Sequence, residues 1–148
     1  MPQERDKKRY AKPLPHIDEE NRPWWEAVQR HELYIQKCRD CGDLRFHPRA
    51  LCTNCLSSNT EWVKSKGSGH IYTFTVTNQN QASGFRDSLP YVLAWVQLDE
   101  GLKLMTNIVD CPSEQVKIDM PVEAVFDDVT PEVTLVKFRP IARAGVPR

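Results

Sequence analysis

Cys38-Arg39-Asp40-Cys41-Gly42 and Cys52-Thr53-Asn54-Cys55 decide how this chain is read. Each stretch sets two thiols three positions apart on a tight turn, and ten residues separate the two pairs. Two such turns facing each other make a tetrahedral all-sulfur site for one metal ion. Gly42 lets the backbone N–H groups of the first turn swing toward sulfur. Four thiolates leave no open coordination position, so the ion braces the fold and does no chemistry. It closes loops that bury too little apolar surface to fold unaided. Zinc is the expected occupant, one per chain through Cys38, Cys41, Cys52 and Cys55. Iron and a redox disulfide are the alternatives for the same residues.

Outward from the cysteines, Leu33 to Lys37 alternates apolar and polar and enters the first turn as a strand, and Glu61-Trp62-Val63 returns from the second. Upstream, residues 21–31 predict a short helix with Asn21 as N-cap and Pro23 in its first turn. Trp24, Ala27 and Val28 fall at i, i+3 and i+4 and make its apolar face, with Trp25 on the flank. A helix this short must dock, either on its own domain or on another subunit. The charged, proline-dotted residues 1–17 read as a flexible arm.

Downstream, Gly67-Ser68-Gly69 breaks the pattern and marks a domain boundary. The rest reads as β-structure: His70–Thr77, Tyr91–Leu98, Leu102–Val109, Val122–Phe126 and Val133–Phe138. Asp99-Glu100-Gly101 joins the second and third as a hairpin. A polar loop fills 78–89, and Cys111 to Val116 is a connector with one helical turn. Five strands with one longer insertion fit a small closed barrel of the OB type. The chain is therefore expected to be mainly β. Its units are an arm at 1–17, a helix and zinc ribbon at 18–66, a five-stranded OB-fold barrel at 67–140 and a tail at 141–148.

The balance of charge narrows the function. Lys plus Arg equals Asp plus Glu at 20 each over 148 residues. The barrel segment 67–140 holds five basic groups against ten acidic ones, a net charge of −5. Such a barrel repels a phosphate backbone, so a nucleic-acid-binding ribbon and OB module is the rival reading, disfavoured by charge. No stretch approaches the ~20 apolar residues of a membrane span, and Met1–Lys12 lacks the apolar core of a secretory signal. The expected location is the cytoplasm, where paired thiols favour metal over disulfide. No glycine-rich phosphate loop of the Walker or Rossmann kind occurs.

Further strings run in order: Pro23-Trp24-Trp25-Glu26, Leu33-Tyr34-Ile35-Gln36-Lys37-Cys38, Cys41-Gly42-Asp43-Leu44-Arg45-Phe46, Pro48-Arg49, and Gly69-His70-Ile71-Tyr72-Thr73-Phe74-Thr75-Val76. They continue with Pro90-Tyr91-Val92, Leu98-Asp99-Glu100-Gly101, Met120-Pro121-Val122-Glu123 and Lys137-Phe138-Arg139-Pro140. Over roughly residues 15–141 the chain resembles the acyl-CoA-associated family of rubredoxin-like zinc ribbon plus OB-fold proteins, long filed as a domain of unknown function. One departure is His47, where the family usually carries proline. The resemblance implies a non-catalytic accessory subunit of a thiolase-superfamily enzyme, in a heterotetramer with two copies of each chain, that helps form an acyl-CoA channel. Members serve thiolase and hydroxymethylglutaryl-CoA synthase assemblies, thiolase-like aldolases of steroid side chains, and aromatic-degradation thiolases of the benzoylsuccinyl-CoA type.

Coenzyme A would be shared with the partner. Its phosphates ask for cations and its pantetheine arm for a narrow apolar slot. The candidate cations are Arg45 and Arg49 on the ribbon, Lys64 and Lys66 in the linker, and Arg86 in the long loop. Trp24, Trp25 and Phe85 are the candidate partner contacts. Cys111 is the cysteine left over; it reads as a small buried apolar residue rather than a nucleophile. The histidines, His16, His31, His47 and His70, are scattered, and none pairs with a carboxylate at ligand spacing.

Overall fold

The computed structural model describes residues 10–142. Residues 1–9 of the expected arm and 143–148 of the expected tail lie outside the described residues. The first element is α1 (Arg22–Gln29), started by Pro23 at a position whose N–H would have no helical acceptor. Trp24, Ala27 and Val28 are buried and dock on the chain's own core. Asn21 holds the N-cap position, but its side chain caps no helical N–H. Its backbone is near-helical (φ −104, ψ −9) instead of extended, which turns the amide away from the first turn. The side chain accepts the Asp18 N–H at 3.0 Å, while the Asp18 carboxylate accepts the Asn21 N–H at 3.0 Å.

A three-stranded antiparallel sheet follows, in the order β2-β1-β3. It comprises β1 (Tyr34–Cys38), β2 (Leu44–Arg45) and β3 (Thr60–Lys64). Leu33 and Ile35 are buried and join the main core, which continues into the barrel through Ile71, Val96, Val122 and Phe138.

The barrel has β4 (Ser68–Thr77), β5 (Tyr91–Leu98), β6 (Lys103–Ile108), β7 (Pro121–Asp128) and β8 (Thr134–Pro140), closed in the order β4-β5-β6-β8-β7. All pairings are antiparallel except β6 with β8, which meet in parallel at Ile108 and Phe138. Closure removes the free edges that five short strands would otherwise expose. On β5, Val92, Ala94, Val96 and Leu98 are buried in strict alternation, the pattern of a strand with one face on a core.

One expectation changes here. The first barrel strand starts at Ser68, inside the Gly67-Ser68-Gly69 break. Gly69 is a pairing residue, and a Cβ there would lie 2.2 Å from the Gln97 carbonyl oxygen. The glycine that reads as a breaker is the close-approach point of two backbones. At the other end, β8 runs two residues past the expected Phe138 to Pro140, and its Lys137 and Arg139 pair with Asp127 and Glu123.

Candidate metal centre and groove

The four cysteines converge. Sγ atoms of Cys38, Cys41, Cys52 and Cys55 all lie within 4.8 Å of one another. Cys38 to Cys55 and Cys41 to Cys52 are each 3.6 Å. A regular tetrahedron with metal–sulfur bonds of about 2.3 Å has edges of about 3.8 Å, so the sulfurs stand where one zinc ion needs them. The two knuckles repeat the same backbone scheme. Cys38 N–H donates to Asp43 and Gly42 N–H to Cys38; Cys52 N–H donates to Ser57 and Leu56 N–H to Cys52, all at 2.8–2.9 Å. Gly42 takes φ +77 after the first pair, and Leu56 takes the matching left-handed φ of 61 after the second. Asn54 Nδ2 also points to the Cys41 sulfur at 3.6 Å.

Backbone N–H groups favour the thiolate form. The Cys41 N–H draws the Cys38 thiol below its ordinary value. Those of Cys55 and Asn54 bring Cys52 down to about 7. His47 is exposed, stacks on Phe46, and is not among the clustered ligands.

Between α1, the inter-knuckle linker and the outer barrel wall runs a groove of about 670 Å³. Trp24, Trp25, Phe46, Leu93, Met105 and Val136 give it apolar walls, with Arg49 and Lys137 among the polar residues. Trp24 and Trp25 meet edge to face at 4.7 Å, and Phe46 tilts against Trp24 at 5.2 Å. The Trp24 Nε1 is buried with no hydrogen-bond partner. Beyond the groove the apolar wall continues outward. Thr73, Trp95 and Met105 pair across three strands, with Trp95 40% and Met105 50% exposed.

The sequence does not single out this row, yet the signal was there. Tyr91-Val-Leu-Ala-Trp-Val is apolar on both strand faces, whereas a strand with a solvated face alternates.

The cations expected to meet phosphate scatter. Arg49 reaches the groove and donates to Glu20 at 3.4 Å. Arg45 is buried, bonded to Thr60 and the Arg49 carbonyl. Lys64 is tied to Glu32 at 3.2 Å, Lys66 is exposed, and Arg86 donates to Gln81 within its own loop. Of the three expected partner contacts, Trp24 is buried and Trp25 half-buried in the groove wall. Phe85 folds back toward Tyr91, with Lys12 Nζ 5.2 Å from its ring.

Cys111 lines an adjoining cavity of about 330 Å³ with Lys12 and Tyr91, and with Asn107 and Lys137, which also line the groove. None of its lining residues is a histidine, and burial pushes the thiol upward. The fold does join one histidine to a carboxylate that spacing alone keeps apart: His31 Nε2 stands 3.0 Å from Asp128, 97 residues away. Thr134 donates to the same carboxylate at 2.6 Å and, ahead of His31, holds it below its ordinary value. Among the described residues no helix is long and apolar enough to cross a membrane.

Comparison with known proteins follows the same two units. Residues 25–61 match the family model described as the ChsH2 rubredoxin-like zinc ribbon domain, and 62–127 match the ChsH2 C-terminal OB-fold domain. A probable enoyl-CoA hydratase alpha subunit of Thermomonospora curvata is 36% identical over 93% of this chain, which spans 43% of that protein. A DUF35 domain-containing scaffold protein of Methanothermobacter thermautotrophicus is 37% identical over 75% of this chain and 84% of its own length. A solved structure titled Ltp2-ChsH2(DUF35) aldolase superposes with a TM-score of 0.78 at 36% identity, covering 86% of this chain and 98% of that one. With its cysteine cluster, its closed five-stranded barrel and both domain matches in sequence order, the chain belongs to the ChsH2 zinc ribbon plus OB-fold family of DUF35 proteins.

Proposed function

We propose that this chain is a non-catalytic accessory subunit that docks on a thiolase-type partner and walls part of the partner's acyl-CoA channel. The carrying observation is the apolar groove between α1 and the barrel, continuous with the exposed Trp95–Met105 row. Exposed aromatic and methionine side chains on a sheet face are the composition of an interface core. Relatives named as a probable enoyl-CoA hydratase alpha subunit and as an aldolase support a role beside an acyl-CoA enzyme.

A structural zinc held by the four cysteines would stiffen the linker that forms one groove wall, and would supply no reactive group. The chain's own residues then exclude water and orient the thioester. The groove's apolar walls accept an acyl chain or the pantetheine arm. Arg49, an exposed member of its lining paired with Glu20 by a long contact, is the cation that would meet a phosphate. Nucleophile and bases come from the partner. Cys111 lacks a histidine in its cavity and has a thiol pushed up by burial, the reverse of an activated nucleophile.

Co-expression with a thiolase-type subunit from the same genome tests this reading. The two chains are expected to co-elute on size exclusion, and the double variant Trp95→Asp, Met105→Asp to elute alone while still folded and zinc-loaded. Separate elution of the wild-type chains, or undiminished complex with the double variant, would overturn it.

A further inference from the structure

The guanidinium of Arg45 is buried and underused. Its side chain is on β2, 6% exposed. Nη2 donates to the Thr60 hydroxyl at 2.6 Å and to the Arg49 carbonyl at 3.3 Å. Nε and Nη1 are buried with no hydrogen-bond partner. The ribbon's nearby ion pairs use other residues, Arg39 with Glu61 and Arg49 with Glu20. Arginine stays charged at any pH a protein tolerates, and a buried cation without a counter-charge is strongly disfavoured. Some negative charge must therefore offset it.

Strand register puts Arg45 on the same face as the first cysteine of the cluster. Arg45 pairs with Gln36, and Thr60 pairs with Cys38. Residues 36 and 38 project from the same face of β1, so Arg45, Thr60 and Cys38 share that face. It is the face that delivers Cys38 to the cysteine cluster. Four thiolates around one divalent ion carry a net double negative charge. Arg39 sits between Cys38 and Cys41, but it is exposed and its nitrogen is committed to Glu61 at 3.2 Å. Asp40 adds a further negative charge, held by Ser57 and Asn59.

We propose that Arg45 is the counter-cation of the metal tetrathiolate, positioned by the Thr60 hydroxyl and the Arg49 carbonyl. Its role is to lower the free energy of the anionic site, acting through the field of a guanidinium that is itself buried and so weakly screened. The two nitrogens without partners fit this role: a residue kept for hydrogen bonding would not leave them idle. The role is independent of which partner the chain serves. Arg45 thereby leaves the set of cations open to a phosphate.

The test uses the full chain loaded with zinc and follows metal transfer to a chromophoric chelator. Arg45→Gln keeps a planar hydrogen-bonding head without the charge; Arg45→Lys keeps the charge without the fork. Arg45→Gln is expected to weaken zinc retention by about 10–100-fold, the usual loss when a group supporting metal ligands is removed. Arg45→Lys is expected to stay near wild type. A Gln variant that holds zinc as tightly as wild type overturns the proposal. So does a Lys variant that loses zinc as badly as Gln, because a hydrogen-bonding brace would then explain both. If Arg45→Gln does not fold, Arg45→Lys decides alone: retention near wild type supports the charge role, and loss of zinc rejects it.

Discussion

Gly42 and Gly69 look alike in the sequence and carry different constraints. A Cβ on Gly42 meets nothing within 4 Å, so only its left-handed backbone resists substitution. A Cβ on Gly69 collides with the Gln97 backbone across the β4–β5 ladder. Gly42→Ala is expected to cost about 1–2 kcal/mol. Gly69→Ala should cost about 3 kcal/mol, at the upper end of overpacking, because the two strands must separate. Urea denaturation of the zinc-loaded proteins measures both; equal losses would contradict the contact.

Asp128 makes the stability of the fold depend on pH. The Thr134 hydroxyl, then His31, hold its carboxyl below the ordinary aspartate value. A depressed folded pKa stabilises the fold above the unfolded value of about 3.9, and that contribution is lost as pH falls through the lower folded value. Thr134→Val removes the largest cause, so the Asp128 midpoint should rise in a carboxyl NMR titration. Wild type and variant should differ less in stability at pH 2 than at pH 6. An unmoved midpoint would show that Thr134 is not the cause.

At the scale of elements, the knuckles and the barrel depend on different forces. Within the ribbon, β2 spans two residues and the second knuckle has no strand of its own, so backbone turns and the bound ion must hold the sulfurs together. The barrel has a continuous core from Ile71 to Phe138 and a closed ladder. Removing the metal, by chelation or by Cys52→Ser, is expected to release amide protection around Cys38–Ser57 first. Amides of β5 and β6 should keep theirs. Hydrogen exchange read by mass spectrometry distinguishes this from a single cooperative collapse, in which both regions would exchange together.

The cysteine spacing, α1 and all five barrel strands were legible because each leaves a local mark: paired thiols, an i, i+3, i+4 stripe, and β-branched or apolar runs bounded by turn residues. Strand ends were less legible where the deciding contact is remote. Ser68 and Gly69 enter β4 only because Glu123, Val122 and the Gln97–Leu98 backbone await them. The Asn21 cap failed for a similar reason, since its amide finds Asp18 instead of the helix.

At the scale of the whole molecule, the groove belongs to no single segment. Trp25 from α1, Phe46 from the linker, and Met105 and Val136 from the barrel meet only after closure. Sequence order places them across more than a hundred residues, and no spacing links them. The cations show the same limit from the other side. Arg45 and Arg49 sit four positions apart, yet one is buried on the metal face and the other lines the groove. Side-chain chemistry named the candidates, and the fold sorted them.

The proposed division of labour has a metal-braced chain without reactive groups of its own completing a larger enzyme's channel. It is tested most directly by turnover of a β-ketoacyl-CoA with free coenzyme A. The measurement compares the purified zinc-loaded chain, the thiolase-type partner, and the two together. No turnover is expected from this chain alone, and turnover by the pair should be well above that of the partner alone. Cleavage by the isolated chain, or a partner fully active without it, would rule out an accessory role.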